Sequence, residues 1–394
     1  MAAGQATVYV ARPTTSYRLL SLGYDARDVG LVAAAYALLP LLAAIPMGRF
    51  SDRRHAGSVI GAGCALEVGA CVLLAVARTP LELAAASTLL GLGHLAVALG
   101  VQDVIARESH ADRHDQHFGL LTTGVSAGQL VGPLIAGLVL GNRSGAALTD
   151  ATSRAMLLAA AIAGVAAICG FLAQRRRPDL PLAETSEPRS GNVRTILATP
   201  GVAAGIFASI AVLSAADVFT AYLPVLGEER GIGPGAVGVL LALRAAASMG
   251  ARVGIGTFVR SIGRLRLMAL SAITAALAFG AAALFDDLVV LAILSVVAGF
   301  GLGFGQPLSM TIVAQLVPQQ MRATALAVRL TGNRVGQIAA PAAAGLLAGG
   351  AGTASVFWLM SAMLLASGIV IRRSPSTMAG LEEEPPRNRF SLRR

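Results

Sequence analysis

The chain has no lysine, few charged residues and few aromatic residues, and each shortage narrows what it can be. Of its 394 residues, 13% are charged, 5% are aromatic and 55% are hydrophobic, with a mean hydropathy of +0.70. Soluble domains carry about 25% charged residues, so the composition excludes a soluble multidomain protein and indicates a membrane protein. The net charge of +10 comes from arginine spread along the chain. Without a basic cluster, we expect no nucleic-acid binding.

Cysteine is also scarce, and the chain shows no sign of a metal or redox site. Cys64, Cys71 and Cys169 lie inside apolar runs, without the spacing that a zinc site or a redox motif requires. We interpret them as packed thiols and predict neither a cofactor nor a metal. Residues 1–20 lack a charged start followed by an apolar stretch, so no cleavable signal peptide is predicted.

What the chain does have is a series of apolar segments long enough to cross a bilayer, which takes about 20 residues. Eleven are predicted, at residues 28–47, 58–77, 82–104, 118–140, 154–173, 201–224, 235–257, 267–285, 288–314, 322–348 and 355–371. Residues 2–22 would form a poor twelfth span, because polar side chains interrupt them throughout.

Small residues recur at a fixed offset of 208 positions. The repeated positions are Val29-Gly30 and Val237-Gly238, Gly48 and Gly256, Gly91 and Gly299, Gly93 and Gly301, Gly124 and Gly332, Gly128-Gln129 and Gly336-Gln337, Pro133 and Pro341, and Gly137 and Gly345. Two homologous halves of about six helices each are typical of secondary transporters. The fold class predicted is therefore an all-α membrane protein of two six-helix bundles related by a pseudo-twofold axis.

The repeat also predicts the domain boundaries. Residues 1–173 form the first bundle, 174–199 a polar linker, 200–373 the second bundle and 374–394 a disordered tail. Shifting the seventh span back by 208 residues puts the start of its partner before Met1. We therefore expect a truncated first helix, with either a start codon upstream or a short, non-standard helix.

Arginine placement predicts the orientation by the positive-inside rule. One side holds the loops around Arg49–Arg54 and Arg260–Arg266, the linker and the tail. The other side holds only Arg18, Arg27, Arg78, Arg143, Arg154 and Arg230. The first side is predicted to be cytoplasmic, together with both termini of the complete protein. The Ala-, Gly- and Arg-rich composition suggests a GC-rich genome and hence a bacterial inner membrane.

Two loop sequences carry a family resemblance. Gly48 to His55 reads G-R-F-S-D-R-R-H, and Gly256 to Arg266 reads G-T-F-V-R-S-I-G-R-L-R. Both resemble the loop signature G-x-x-x-D-R-x-G-R-R of the major facilitator superfamily, although His55 replaces a glycine and Arg260-Ser261 replace Asp-Arg. The resemblance implies that Gly48, Asp52 and Arg53 take part in conformational gating.

The fifth span resembles a second signature of the same family. Gly119, Gly128, Gly132-Pro133 and Gly137 match G-x8-G-x3-G-P-x2-G-G with Ala136 in place of one glycine. Within the family this element marks exporters more often than importers. It implies a gating role for Gly128, Gly132, Pro133 and Gly137, since small residues allow close helix packing and a proline bends the helix.

Charged and polar groups inside the spans are the candidate site residues, because such groups are costly in a bilayer. Those predicted to face a substrate cavity are Arg12, Tyr36, His94, Asp217, Tyr222, Arg244, Gln306, Arg329 and Asn333. Asp217 is the first candidate for proton coupling, because the resemblance implies that the seventh span lines the cavity; Glu67 is the second. Several arginines with fewer acids suggest an anionic or zwitterionic substrate.

The sequence therefore predicts a monomeric secondary transporter that moves a small molecule through the lipid bilayer by alternating access, with export in exchange for protons favoured. The first alternative is an importer or uniporter of a small organic anion. A membrane-embedded enzyme and a non-transporting scaffold or sensor are the others, but no catalytic motif or metal set supports an enzyme.

Overall fold

The computed structural model describes residues 1–53, 56–108, 114–175 and 193–373. Within these ranges the chain is helical, with loops and one 3₁₀ turn at Gln319–Met321. The helices are α1 (Ala2–Ser21), α2 (Ala26–Ala35), α3 (Leu38–Arg53), α4 (Ala56–Val76), α5 (Pro80–Glu108), α6 (His114–Leu140), α7 (Gly145–Arg175), α8 (Val193–Ala198), α9 (Val202–Glu229), α10 (Pro234–Ile262), α11 (Arg264–Ala282), α12 (Leu288–Leu316), α13 (Arg322–Ala351) and α14 (Thr353–Arg372).

The helices match the predicted spans. Helices α2 and α3 together form the span predicted at residues 28–47. Ten spans in the described residues are long and apolar enough to cross a membrane, one fewer than predicted from the sequence. The difference is α13, where Arg322, Arg329 and Arg334 lower the hydropathy of a 30-residue helix. Its length is ample for a bilayer, and its neighbours bury one face.

Helix α1 is more regular than the sequence suggests. It runs for 20 residues and is buried over most of its length. Thr14 and Thr15 donate to the carbonyls of Val10 and Ala11, one turn back. Arg18 donates to the carbonyl of Ala77 at 2.7 Å and to hydroxyls of α7. Carbonyls of α1 itself and groups of neighbouring helices thus satisfy several of the polar side chains that made this segment look unsuited to a membrane.

The repeated glycines lie where helices contact each other closely, and these contacts recur in both halves. A Cβ built on Gly91 would lie 1.9 Å from the carbonyl oxygen of Tyr36, and one built on Gly299 would lie 2.1 Å from that of Arg244. Tyr36 and Arg244 are themselves 208 positions apart, so the same helix crossing occurs in each half. The chain is an all-α membrane protein with two six-helix bundles related by a pseudo-twofold axis, α1–α7 and α9–α14.

The predicted linker contains the short helix α8. Residues 176–192 of the linker and the tail at 374–394 lie outside the described residues. We use α8 to name the two ends of the molecule. The α8 side carries α8 and the α10–α11 loop, and the opposite side carries the loops α1–α2, α6–α7 and α9–α10.

The two bundles meet closely on the opposite side. A Cβ on Gly30 would lie 2.5 Å from the Cα of Gly345, and a Cβ on Gly238 would lie 2.9 Å from the Cα of Gly137. These two contacts, α2 with α13 and α10 with α6, are equivalent under the 208-residue repeat. The amide of Gly235 also donates to the carbonyl of Gly141 at 3.1 Å. We call this pair of crossings the seal.

Three glycines nearer the α8 side make no contact with the other bundle. A Cβ on Gly119 or on Gly250 would meet nothing within 4 Å, and one on Gly256 would meet only the side chain of Arg260 on its own helix. The close glycine contacts between the bundles therefore lie on the opposite side.

Candidate functional site

An ion pair joins the two bundles at the centre of the molecule. Arg12 Nη1 lies 2.5 Å from Asp217 Oδ1, and both side chains are almost fully buried, at 9% and 4% exposed. The two residues lie near the middle of α1 and α9, the first helices of the two bundles. The pair is thus a contact that can form only while these helices face each other.

The second oxygen of Asp217 is also occupied. Gln337 Nε2 donates to Asp217 Oδ2 at 2.6 Å, and Arg334 donates to Gln337 Oε1 at 2.9 Å. On the other bundle, the Arg12 guanidinium lies 4.9 Å from the centre of the Tyr36 ring. The central network therefore runs from Tyr36 through the ion pair to Arg334.

A small pocket opens beside this network. Arg12 and Tyr36 line it together with the hydroxyls of Thr15, Ser16 and Ser87 and the methyl group of Ala221. Most of the lining comes from the first bundle and Ala221 from the second. The pocket supplies one guanidinium and several hydrogen-bonding groups next to the carboxylate that pairs with it.

Gln306, Arg329 and Asn333 form a second cluster inside the second bundle. Arg329 Nη2 donates to Gln306 Oε1 at 2.6 Å, and its Nε donates to Ser309 Oγ at 3.2 Å. Ser209 of α9 donates to Asn333 Oδ1 at 2.9 Å. These three predicted cavity residues satisfy one another, so the cluster ties α9, α12 and α13 together.

Arg244 is buried without such partners. Its side chain on α10 is 3% exposed, and its Nε and Nη2 have no hydrogen-bond partner among the described residues. The nearest recorded contact is the Phe219 ring, 6.0 Å from Cζ.

His94 and Glu67 form a pair within the first bundle, between α5 and α4. His94 Nδ1 lies 3.2 Å from Glu67 Oε1, and the Glu67 carboxylate is completely buried. Glu67 Oε2 has no partner among the described residues, and the small Gly4 of α1 packs against it. The structure thus separates these two residues from the Arg12–Asp217 network.

Tyr222 lies in the seal and not in the central pocket. Its hydroxyl donates to the carbonyl of Ala26 across the two bundles at 2.9 Å, and its side chain is fully buried. The sequence analysis grouped Tyr222 with the cavity, but the residue is more than one turn beyond Asp217.

The predicted gating residues fall into two sets. Gly48, Asp52 and Arg53 belong to the last turns of α3, and their side chains lie outside the described part of the structure. On α6, Cβ atoms on Gly128 and Gly132 would lie 2.5 Å and 2.9 Å from carbonyl oxygens of α1.

Pro133 and Gly137, further along α6, form part of the seal. The carbonyl of Pro133 would lie 2.6 Å from a Cβ on Gly238. One helix therefore contacts α1 through its middle glycines and the other bundle through its end.

Gln337 is the site residue that the sequence reasoning missed. A signal was present, because the repeat pairs Gln337 with Gln129 and both follow a repeated glycine. No group of three potential metal-ligating residues occurs within the described ranges.

Two homologous helical bundles, closed over one end of a buried polar site, define a secondary transporter. The sequence model of the Major Facilitator Superfamily matches residues 2–288 and again 206–393. The chain belongs to the major facilitator superfamily and is a transporter, not an enzyme.

Several solved structures share the fold. A mutant of the nucleoside transporter NupG is 14% identical and superposes with a TM-score of 0.78, covering 95% of this chain and 97% of that one. A bacterial homologue of the human lysosomal transporter Spinster, in an inward-facing and occupied conformation, is 14% identical with a TM-score of 0.74 and covers 98% and 97%. A D-xylose-proton symporter is 15% identical with a TM-score of 0.74 and covers 95% and 97%. No curated protein matches the chain by sequence.

Proposed function

We propose that the protein is a proton-coupled exporter of a small molecule, with Asp217 as the proton site. The observation that carries the proposal is the Arg12–Asp217 ion pair between the two bundles. Removing one member of a buried ion pair is costly, so its state of charge is coupled to the packing of the helices that carry it.

Protonation of Asp217 supplies the conformational step. A neutral carboxyl group no longer attracts the Arg12 guanidinium, and the contact between α1 and α9 weakens. A proton that reaches Asp217 from the opposite side therefore lets the bundles rock back about the central site, closing the seal and opening the α8 side. Release of that proton on the α8 side restores the ion pair and the state described above, so the proton moves inward while the substrate moves outward.

The direction rests on orientation and on the α6 signature. Arginine-rich loops support a cytoplasmic α8 side. Because the seal on the other side is closed, we infer that the described state accepts substrate from the cytoplasm. The resemblance of Gly119–Gly137 to an exporter signature favours outward transport. We assign the protein to a bacterial inner membrane, as a monomer with domains 1–173 and 200–373, linker 174–199 and tail 374–394.

Glu67 is proposed as a second proton site, with His94 as its partner. Its buried position inside one bundle means that its charge affects the packing of α4, α5 and α1 more than the contact between bundles. We therefore assign Glu67 a modulating role and Asp217 the coupling role.

Uptake or uniport of a small organic anion is the second candidate, favoured by the partner-free Arg244. Two of the matched structures are those of a nucleoside transporter and a D-xylose-proton symporter. The candidates are separated by whether a proton gradient drives the substrate out or in. In exchange the substrate and the proton occupy the central site in turn, whereas in co-transport they occupy it together.

The test is proton movement in inverted vesicles that hold a pH gradient, followed with a quenched acridine dye. Cationic, neutral and anionic compounds are added to vesicles containing wild type, Asp217→Asn, Glu67→Gln or the control Asp150→Asn, an exposed carboxylate. We expect substrate-induced proton release in wild type and the control, its loss in Asp217→Asn and a partial reduction in Glu67→Gln. Unchanged release from Asp217→Asn would refute the coupling role, and substrate-driven proton movement in the reverse direction would favour uptake.

A further inference from the structure

Arg244 differs from the other buried arginines in having no hydrogen-bond acceptor. Arg12 has Asp217, Arg18 has backbone and hydroxyl oxygens of α4 and α7, and Arg329 has Gln306 and Ser309. Arg244 is as buried as these, at 3% exposed, yet neither Nε nor Nη2 has an acceptor among the described residues. A buried guanidinium in this condition is costly and calls for a compensating group.

The two atoms without partners have a particular geometry. Nε and Nη2 form one edge of the guanidinium, and their N–H groups point in the same direction. Such an edge makes two parallel hydrogen bonds to the two oxygens of one carboxylate. The free donors of Arg244 are thus the pair suited to a planar anion.

Arg244 also has a defined place relative to the central site. It is the equivalent of Tyr36 under the repeat, and the backbones of both pack against a repeated glycine. Tyr36 lines the pocket next to Arg12, so Arg244 takes the corresponding position in the second bundle.

The surroundings of Arg244 are electropositive. Arg252, further along α10, interacts electrostatically with Arg244 and hydrogen-bonds Ser126 of the other bundle at 3.3 Å. Both oxygens of Asp217 are already engaged by Arg12 and Gln337. Two guanidinium groups thus lie near each other on α10. Because Nε and Nη2 of Arg244 have no exposed surface in the described state, a negative group reaches them only when the helices packed over them move apart.

We propose that Arg244 binds the carboxylate of the transported substrate, a small organic acid, through its Nε and Nη2. This inference rests on the proposed transport function and adds the substrate class to it. Arg12 and Asp217 govern coupling, whereas Arg244 recognises the substrate in either direction of transport.

Thermal unfolding of the purified full-length protein in lipid nanodiscs tests the inference. The probes are benzoate, lactate and succinate, each beside its amide, with phenyl phosphate as a second kind of anion. We expect at least one carboxylate, and not its amide, to raise the melting temperature of wild type. Arg244→Gln should weaken that binding at least tenfold. Arg244→Lys should weaken it less, because lysine keeps the charge but lacks the two parallel N–H groups of the guanidinium. The control Arg143→Gln removes an exposed arginine of the α6–α7 loop that bonds to carbonyls at the end of α6, and it should bind as wild type does.

The ligand-free variants report on the role of the arginine independently. If Arg244 is held for a ligand, removing its charge should leave the ligand-free melting temperature unchanged or higher, whereas a structural arginine would lower it. Equal stabilisation by carboxylate and amide, binding by Arg244→Gln equal to wild type, or a response to phenyl phosphate alone would overturn the inference. Carboxylate binding that depends on Arg244, without any substrate-induced proton movement, would support the inference and refute the coupling proposal. Proton movement that depends on Asp217, without carboxylate binding at Arg244, would support the coupling proposal and refute the inference.

Discussion

Arg12 and Asp217 stabilise each other in a buried environment, where either charge without its partner would be unfavourable. Both are nearly buried, and Asp217 has only Gln337 as a further recorded partner. We predict that Arg12→Gln lowers the free energy of unfolding by about 3–5 kcal/mol, because a buried carboxylate loses its cation. The double variant Arg12→Gln with Asp217→Asn should recover most of that loss. Reversible unfolding in nanodiscs of the wild type, both single variants and the double variant measures the coupling.

Asp286 provides the matched control for this cycle. It also pairs with an arginine, Arg230, at 2.8 Å, but its side chain is 77% exposed. Water screens such a pair, so Asp286→Asn should change the unfolding free energy by about 0–1 kcal/mol. A double variant as unstable as Arg12→Gln alone would show that the central pair does not stabilise the contact between the bundles.

At the scale of the helices, the repeated glycines fix how closely neighbours approach. The carbonyls of Tyr36 and Arg244 occupy the space where side chains on Gly91 and Gly299 would lie. We predict that Gly91→Ala and Gly299→Ala each lower the unfolding free energy by about 1–3 kcal/mol through overpacking. Their effects should be similar, because the two crossings are equivalent. Thermal unfolding of each variant provides the measurement.

Gly250→Ala is the corresponding control, since a Cβ at this helical position would meet nothing within 4 Å. Alanine favours a helix over glycine, so stability should stay level or rise slightly. Loss of stability in Gly250→Ala comparable to that in Gly91→Ala would mean that close packing at the helix crossing does not set the effect.

The helices were predictable where one local pattern decides the outcome, as in the apolar runs and the glycine repeat. Helix α1 was not, because its polar residues are satisfied by Ala77 and by hydroxyls of α7, which are distant in sequence. The same limit applies to the site. The sequence singled out Asp217 and Arg12, but their pairing across 205 positions and the isolation of Arg244 depend on how the bundles pack. The sequence analysis assigned Glu67 to proton coupling and His94 to the substrate cavity, and only the crossing of α4 and α5 brings them together.

At the scale of the whole molecule, alternating access requires the seal to open. Its loops approach closely enough to be cross-linked: a Cβ on Gly233 would lie 3.8 Å from the Cα of Asn142. Gly233 has φ −63° and ψ 153°, a conformation that any residue adopts. A disulfide between Asn142→Cys and Gly233→Cys therefore fits with little change in the backbone.

We predict that this disulfide, formed in a variant lacking Cys64, Cys71 and Cys169, reduces transport at least tenfold and that a reductant restores it. The bridge joins the α6–α7 loop of one bundle to the start of α10 in the other, so the seal cannot part while it is intact. Substrate flux in proteoliposomes, measured before and after reduction, checks the result, and each single cysteine variant controls for the substitutions. Since access from the α8 side does not require the seal to open, ligand binding should survive in the oxidised protein. Full transport with the bridge intact would mean that substrate leaves by a route that avoids these loops, and the rocking mechanism would then have to be abandoned.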